Sequence, residues 1–191
     1  SQEVVELIQS YNIVVSAGHT NATYKEATTA FDRGIHTATH LYNAMSGLQH
    51  RAPGMVGAVF NNDKVRCSIV PDGHHVDFAA IRIAKNIMGE RLFAITDAVT
   101  ETTEGYYKHT LEGDKYTSNG ILSGSALTMH KCFTNLVKHC GIPVEEALRM
   151  CSLYPATVIN MQQRLGAIKE NYKADMVVLD NDLQLVKVII V

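Results

Sequence analysis

A chain of 191 residues, 46% apolar and 19% charged, has the makeup of a soluble globular domain that buries about 70% of its unfolded surface. The formal net charge of −2 offers no basic surplus for nucleic acid or an anionic membrane. No apolar run approaches the ~20 residues of a membrane span, and no charged-then-apolar leader opens the sequence. The four cysteines (Cys67, Cys132, Cys140, Cys151) form no Cys-x-x-Cys pattern. Their spacing suits reduced, buried thiols in a cytoplasmic protein better than disulfides or a thiolate metal site.

In chain order, Gln2 to Ser10 reads as a helix end with Val5 and Ile8 on one side. Ile13 to Ala17 is short, apolar and β-branched, as a buried strand is. Thr23-Tyr-Lys-Glu26 fits a capping box, and its helix runs to Arg33, where Gly34 stops it. Ile35 to Thr39 is a second strand, and Leu41 to Gly54 a long loop. Val65 to Val70 is a third strand, leading into Pro71-Asp-Gly-His-His75. Asp77 caps a helix whose inner face carries Ala80, Ile81, Ala84, Ile87 and Met88, and Gly89 ends it. Leu92 to Thr96 is a fourth strand, followed by Asp97. Turn signals at Glu112-Gly-Asp and Ser118-Asn-Gly120 predict an inserted hairpin over Tyr106 to Leu122. Helical spacing marks Met129 to Cys140 and Val144, Ala147, Leu148 and Cys151, and Pro155 suits the first turn of a third helix. Ala174 to Leu179 and Leu185 to Val191 are two strands with no helix between them.

Strands and helices thus alternate four times, which predicts an α/β fold with a parallel sheet. His19, His40, His75 and Asp97 follow successive strands, and function at carboxyl strand ends marks a (β/α) barrel. A full barrel takes about 250 residues. The expectation is therefore the carboxyl-terminal half of a (β/α)8 TIM-type barrel over residues 1–165. Residues 166–191 would be a terminal pair of strands from a small β-sandwich.

Each candidate residue has a plain structural alternative. A single histidine at a strand end is ordinarily just hydrogen-bonded. The pair His19 and His40, one strand–helix unit apart, points to a shared metal ion. Asp97 is either a helix cap or a carboxylate that exchanges protons with a water and a leaving amine. His74-His75 could supply a third ligand, a substrate contact or polar loop residues, while Asp72 holds the turn. Arg51 could grip a phosphate or carboxylate, although a solvated arginine fits its spacing better. Leu122-Ser-Gly-Ser125 reads as an anion- or hydroxyl-binding turn, or as simple N-capping by Ser123 or Ser125.

Five segments occur in a telling order: Ser16-Ala-Gly-His-Thr-Asn-Ala22, Ala38-Thr-His-Leu-Tyr-Asn-Ala-Met45, Asp72-Gly-His-His-Val-Asp77, Thr96-Asp-Ala98 and Leu122-Ser-Gly-Ser-Ala-Leu-Thr-Met129. Together they resemble the N-acetylglucosamine-6-phosphate deacetylase family of the amidohydrolase superfamily. Gly166 to Asp180 also resembles that superfamily's closing strand. The resemblance implies that His19 and His40 bind a divalent metal, zinc or alternatively iron, and that Asp97 is general base and then general acid. It implies substrate contacts from Asn43, Ala44, His75, Leu122, Ser123, Gly124 and Ser125, and a 6-phosphate contact from Arg51 across a homodimer interface. The substrate would be an amino-sugar phosphate, with glucosamine 6-phosphate and acetate as products. The family also carries a glutamate metal ligand and a carbonyl-polarising histidine, both upstream of any residue here, so the expectation is a carboxyl-terminal fragment. A cyclic-amide hydrolase of the same superfamily and a catalytically inert fragment are the competing readings.

Overall fold

A computed structural model describes residues 2–105 and 108–191. Tyr106 and Tyr107, at the start of the expected hairpin, lie outside the described residues. Four parallel strands form the central sheet in the order β1 (Ser16–Ala17), β2 (Thr37–Ala38), β3 (Arg66–Ile69), β4 (Leu92–Ala94). Strand order follows chain order, so each strand end lies beside the next. This α/β arrangement agrees with the expected alternation. Among the described residues the sheet does not close into a barrel.

The helices are α1 (Gln2–Ser10), α2 (Tyr24–Asp32), α3 (Gly54–Phe60), α4 (Phe78–Met88), α5 (Met129–Lys138), α6 (Val144–Cys151) and α7 (Leu153–Val158). α2 begins with the expected capping box: the Thr23 hydroxyl accepts the Glu26 N–H, and the Glu26 carboxylate accepts the Thr23 N–H at 2.8 Å. Asp77 caps α4 by accepting the Ala79 N–H at 2.7 Å. Its buried stripe is Ile81, Ala84 and Met88; Ile87, expected inside, is exposed. Leu148 on α6 and Met129 on α5 likewise face outward, and Met150 takes the core position. None of these helices is long and apolar enough to cross a membrane.

Three further differences have physical causes. α3 was not expected, because Gly54-Met-Val-Gly-Ala-Val is apolar on every side and shows no amphipathic period. Burial on all sides stabilises it in spite of two glycines. The first strand pairs only over Ser16–Ala17, and Ile13 and Val14 are exposed, because β1 is the sheet's edge. The insertion is a three-stranded antiparallel sheet, β5 (Thr110–Glu112), β6 (Lys115–Ser118) and β7 (Ile121–Ser125), with turns at both expected places. Leu122 to Ser125 is therefore strand β7, not a free anion-binding turn. β8 (Met176–Leu179) and β9 (Leu185–Ile189) pair with each other in a separate two-stranded sheet.

Candidate active site

Three side chains stand just past the ends of parallel strands: His19 after β1, His40 after β2 and Asp97 after β4. All three adopt left-handed backbone, with φ of 45°, 38° and 49°. That region costs a residue with a Cβ about 1–2 kcal/mol, so it persists only where neighbours enforce it. They do so here. The buried Ser68 of β3 accepts the His40 N–H on its hydroxyl at 2.9 Å and the Leu41 N–H on its carbonyl at 2.8 Å. The His40 carbonyl accepts the Asn43 N–H at 2.9 Å. Beside His19, the Thr20 N–H donates to the Ala44 carbonyl at 2.9 Å. At Asp97, the carbonyl accepts the Ser125 N–H at 3.1 Å, and the Ser125 carbonyl accepts the Val99 N–H at 3.2 Å.

The His19 and His40 rings meet edge to face, their centroids 4.7 Å apart at 82°. Gly18 makes this packing feasible: a Cβ there would lie 2.6 Å from Thr39 Cγ2 and 3.3 Å from His40 Cε1. His40 is buried, and its Nδ1 has no hydrogen-bond partner. A buried imidazole nitrogen without a partner is costly unless something else satisfies it, and a cation would. The donor set therefore fits a divalent metal. Among the described residues, however, no group of three or more His, Cys, Asp or Glu side chains is arranged to hold one.

A cleft of about 780 Å³ opens over these residues. His19, His40, Asn43, Ala44, His75 and Asp97 line it from the strand ends. The inserted sheet supplies the facing wall, with His109, Ser118, Asn119, Ile121, Leu122, Ser123 and Gly124. Gly124 lets that wall approach, since a Cβ there would sit 2.5 Å from Val99 Cγ2.

The sequence matches the amidohydrolase family over residues 3–190. This chain belongs to the amidohydrolase family. It is 36% identical to the N-acetylglucosamine-6-phosphate deacetylase of Haemophilus influenzae over 189 residues, covering 93% of this chain and 49% of that protein. It is 34% identical to the N-acetylgalactosamine-6-phosphate deacetylase of Escherichia coli O157:H7, covering 95% of this chain and 50% of that protein. The crystal structure of N-acetylglucosamine-6-phosphate deacetylase from Pasteurella multocida superposes with a TM-score of 0.93 at 35% identity, over 99% of this chain and 52% of that one. The chain thus spans about half the length of the curated relatives it matches.

In this amidohydrolase the cleft gathers most of the residues singled out from the sequence, but Arg51 and Ser125 do not line it. Arg51 is exposed in the loop before α3. Ser125 is fully buried; its hydroxyl donates to the Thr96 carbonyl and accepts the Leu127 N–H at 3.1 Å. Ser125 thus braces the backbone on both sides of Asp97. His75 is held by Asp72: Oδ2 lies 2.5 Å from His75 Nδ1, while Oδ1 accepts the N–H groups of His74 and His75 at 2.9 and 2.8 Å. Burial pushes the Asp72 carboxyl up, but these hydrogen bonds and the neighbouring imidazole outweigh it and hold the group below the usual carboxylate range. An ionised Asp72 keeps the proton on His75 Nδ1. Asn135 of α5 steadies this loop by donating to the Pro71 carbonyl at 2.8 Å.

Sequence reasoning missed Ser68, Asn135 and His109. The first two act on backbone carbonyls and amides of distant segments, which no local pattern announces. His109 carried one available signal, a histidine within the inserted hairpin expected after Asp97.

Proposed function

We propose that the protein is a metal-dependent N-acetylglucosamine-6-phosphate deacetylase, which hydrolyses the 2-acetamido group to give glucosamine 6-phosphate and acetate. The observation that carries this reading is the single cleft lined by His19, His40 and Asp97, each at the end of a parallel strand and each in enforced left-handed backbone. The relatives' names supply the substrate, and the cleft supplies room and polar lining for a phosphorylated sugar.

His19 and His40 would hold the cation, zinc or alternatively iron. Bound there, a divalent metal supplies Lewis-acid activation of water and of the amide carbonyl. Hydrolysis requires the attacking water to lose a proton and the departing nitrogen to gain one. On this reading Asp97 is the one carboxylate that performs both transfers in turn. The water oxygen joins the acetyl carbon, the C–N bond breaks, and the proton passes from Asp97 to the amine. His75, oriented by Asp72, contacts the sugar. Asn43, Ala44 and the segment Leu122 to Gly124 complete the pocket. The same reading makes the sheet half of a (β/α)8 barrel over residues 1–165, with 166–191 part of a small β-sandwich. Its exposed Arg51 would serve the phosphate of a partner subunit's site in a homodimer. The four free thiols suit a cytoplasmic setting.

The test is amine release from N-acetylglucosamine 6-phosphate with added zinc, comparing the parent sequence with Asp97→Asn. Loss of a proton-transfer group should lower kcat by roughly 10²–10⁴-fold. Equal rates in the two proteins, or release from unphosphorylated N-acetylglucosamine at the same kcat/KM, would overturn the assignment.

A further inference from the structure

The wall contributed by the inserted sheet carries a histidine that proton transfer and metal binding leave unused. His109 immediately precedes β5 and lines the same cleft as His19, His40 and Asp97. Its backbone is anchored, because the His109 carbonyl accepts the Thr102 N–H at 3.1 Å. Its ring is anchored too: Nδ1 lies 2.8 Å from the Ser123 hydroxyl oxygen on β7. Among the described residues its Nε2 has no hydrogen-bond partner.

A neutral imidazole has one donor and one acceptor nitrogen. The Ser123 hydroxyl rotates to suit either tautomer, so Nε2 can take either role. A sugar hydroxyl both donates and accepts and therefore matches either form. The two named relatives act on sugars that differ only in the configuration of one ring hydroxyl, although they resemble this chain to a similar degree. Apart from the strand-end groups given roles above, including His75 and Asn43, the polar side chains that line the cleft and can read such hydroxyls lie on the inserted wall.

We propose that the His109–Ser123 pair binds a ring hydroxyl of the amino-sugar phosphate and contributes to sugar specificity. This rests on the deacetylase reading above. His109 is then a substrate-binding residue that takes no part in the proton transfers.

Calorimetric titration of the protein with N-acetylglucosamine 6-phosphate, its N-acetylgalactosamine epimer, and the 3-deoxy and 4-deoxy analogues tests it. The variants are His109→Asn, which keeps a polar group near Nδ1 but removes Nε2, and His109→Gln, which restores an amide near Nε2. The parent should bind one deoxy analogue roughly tenfold more weakly than the sugar itself, as expected for an unpaired polar group. His109→Asn should bind the sugar about tenfold more weakly and lose nothing further with that analogue, and His109→Gln should recover part of the affinity. Additive losses for both analogues in a variant with unchanged thermal unfolding would overturn the pairing while leaving the deacetylase reading intact. Failure of the parent to bind either phosphosugar would instead overturn both.

Discussion

At the scale of single residues, His19, His40 and Asp97 share a left-handed turn that places each side chain past a strand end instead of along the sheet. Holding three such turns together requires neighbours that fix backbone groups, and Ser125 does this for Asp97. Its hydroxyl joins the Thr96 carbonyl and the Leu127 N–H, and its own N–H and carbonyl bind Asp97 and Val99. Ser125→Ala keeps the backbone bonds but strips both hydroxyl bonds in a fully buried place. The expected loss of stability is about 1–3 kcal/mol, because buried groups are left without partners. Urea denaturation measures it, and a change under 0.5 kcal/mol would show that the hydroxyl does not hold this segment. On the proposed deacetylase reading, in which Asp97 carries the proton and makes no sugar contact, turnover should fall through kcat more than KM.

Between elements, Glu146 of α6 is the main electrostatic joint. Its carboxylate pairs with Lys85 of α4, accepts from Arg149 Nε at 2.8 Å, and accepts from the Tyr154 hydroxyl of α7 at 2.9 and 3.0 Å. Burial pushes its pKa up, but the bonds from Lys85, Arg149 and Tyr154 prevail and leave it below the ordinary glutamate range. The folded protein thus binds this proton less readily than the unfolded chain, whose glutamate titrates near about 4.3. Its contribution is complete above that pH and fades as pH falls through the depressed folded value. Glu146→Gln should lower the unfolding free energy by about 1–3 kcal/mol at pH 7, with the deficit shrinking toward pH 3. Parallel unfolding curves at pH 7 and pH 3.5 check this, and a deficit that stayed constant with pH would exclude the ion network as its source. The elements that Glu146 joins were legible because α4 and α6 show an amphipathic period, and α4 an aspartate cap. Their precise faces were not: Ile87 and Leu148 match the apolar period yet look outward, because tertiary neighbours choose among positions the period leaves equivalent. α3 was hidden for the opposite reason, since burial on every side erases periodicity. The site was legible where one short segment carries both the strand and the group it ends on, as at Gly18-His19 and Thr39-His40. It was illegible where a distant residue fixes a backbone atom, as Ser68 does for His40.

For the molecule as a whole, the central sheet and the β8–β9 pair differ in how they are supported. β2, β3 and β4 are largely buried, with Ala38, Cys67, Ile69 and Leu92 in the core. β8 and β9 hydrogen-bond only to each other among the described residues, and Val177, Val178, Leu185, Val186 and Val188 are exposed. A two-stranded ribbon of this kind is marginal without a covering layer. Its attachment to the rest is local: Leu179 and Leu183 pack against the core, and His130 of α5 lies with Nε2 2.7 Å from the Leu183 carbonyl. The ribbon should therefore open independently, with a smaller opening free energy than the sheet. Amide hydrogen exchange should show residues 176–189 exchanging well before Cys67, Ile69 and Leu92, and His130→Ala should speed that exchange without changing it in β3 or β4. Protection of β8 and β9 equal to that of β3 would mean that a further layer covers them in solution. The exposed valines on the ribbon would then mark where that layer lies, and dilution would separate the two sources: protection lost on dilution comes from a second copy of the chain, and protection that survives it from within one chain.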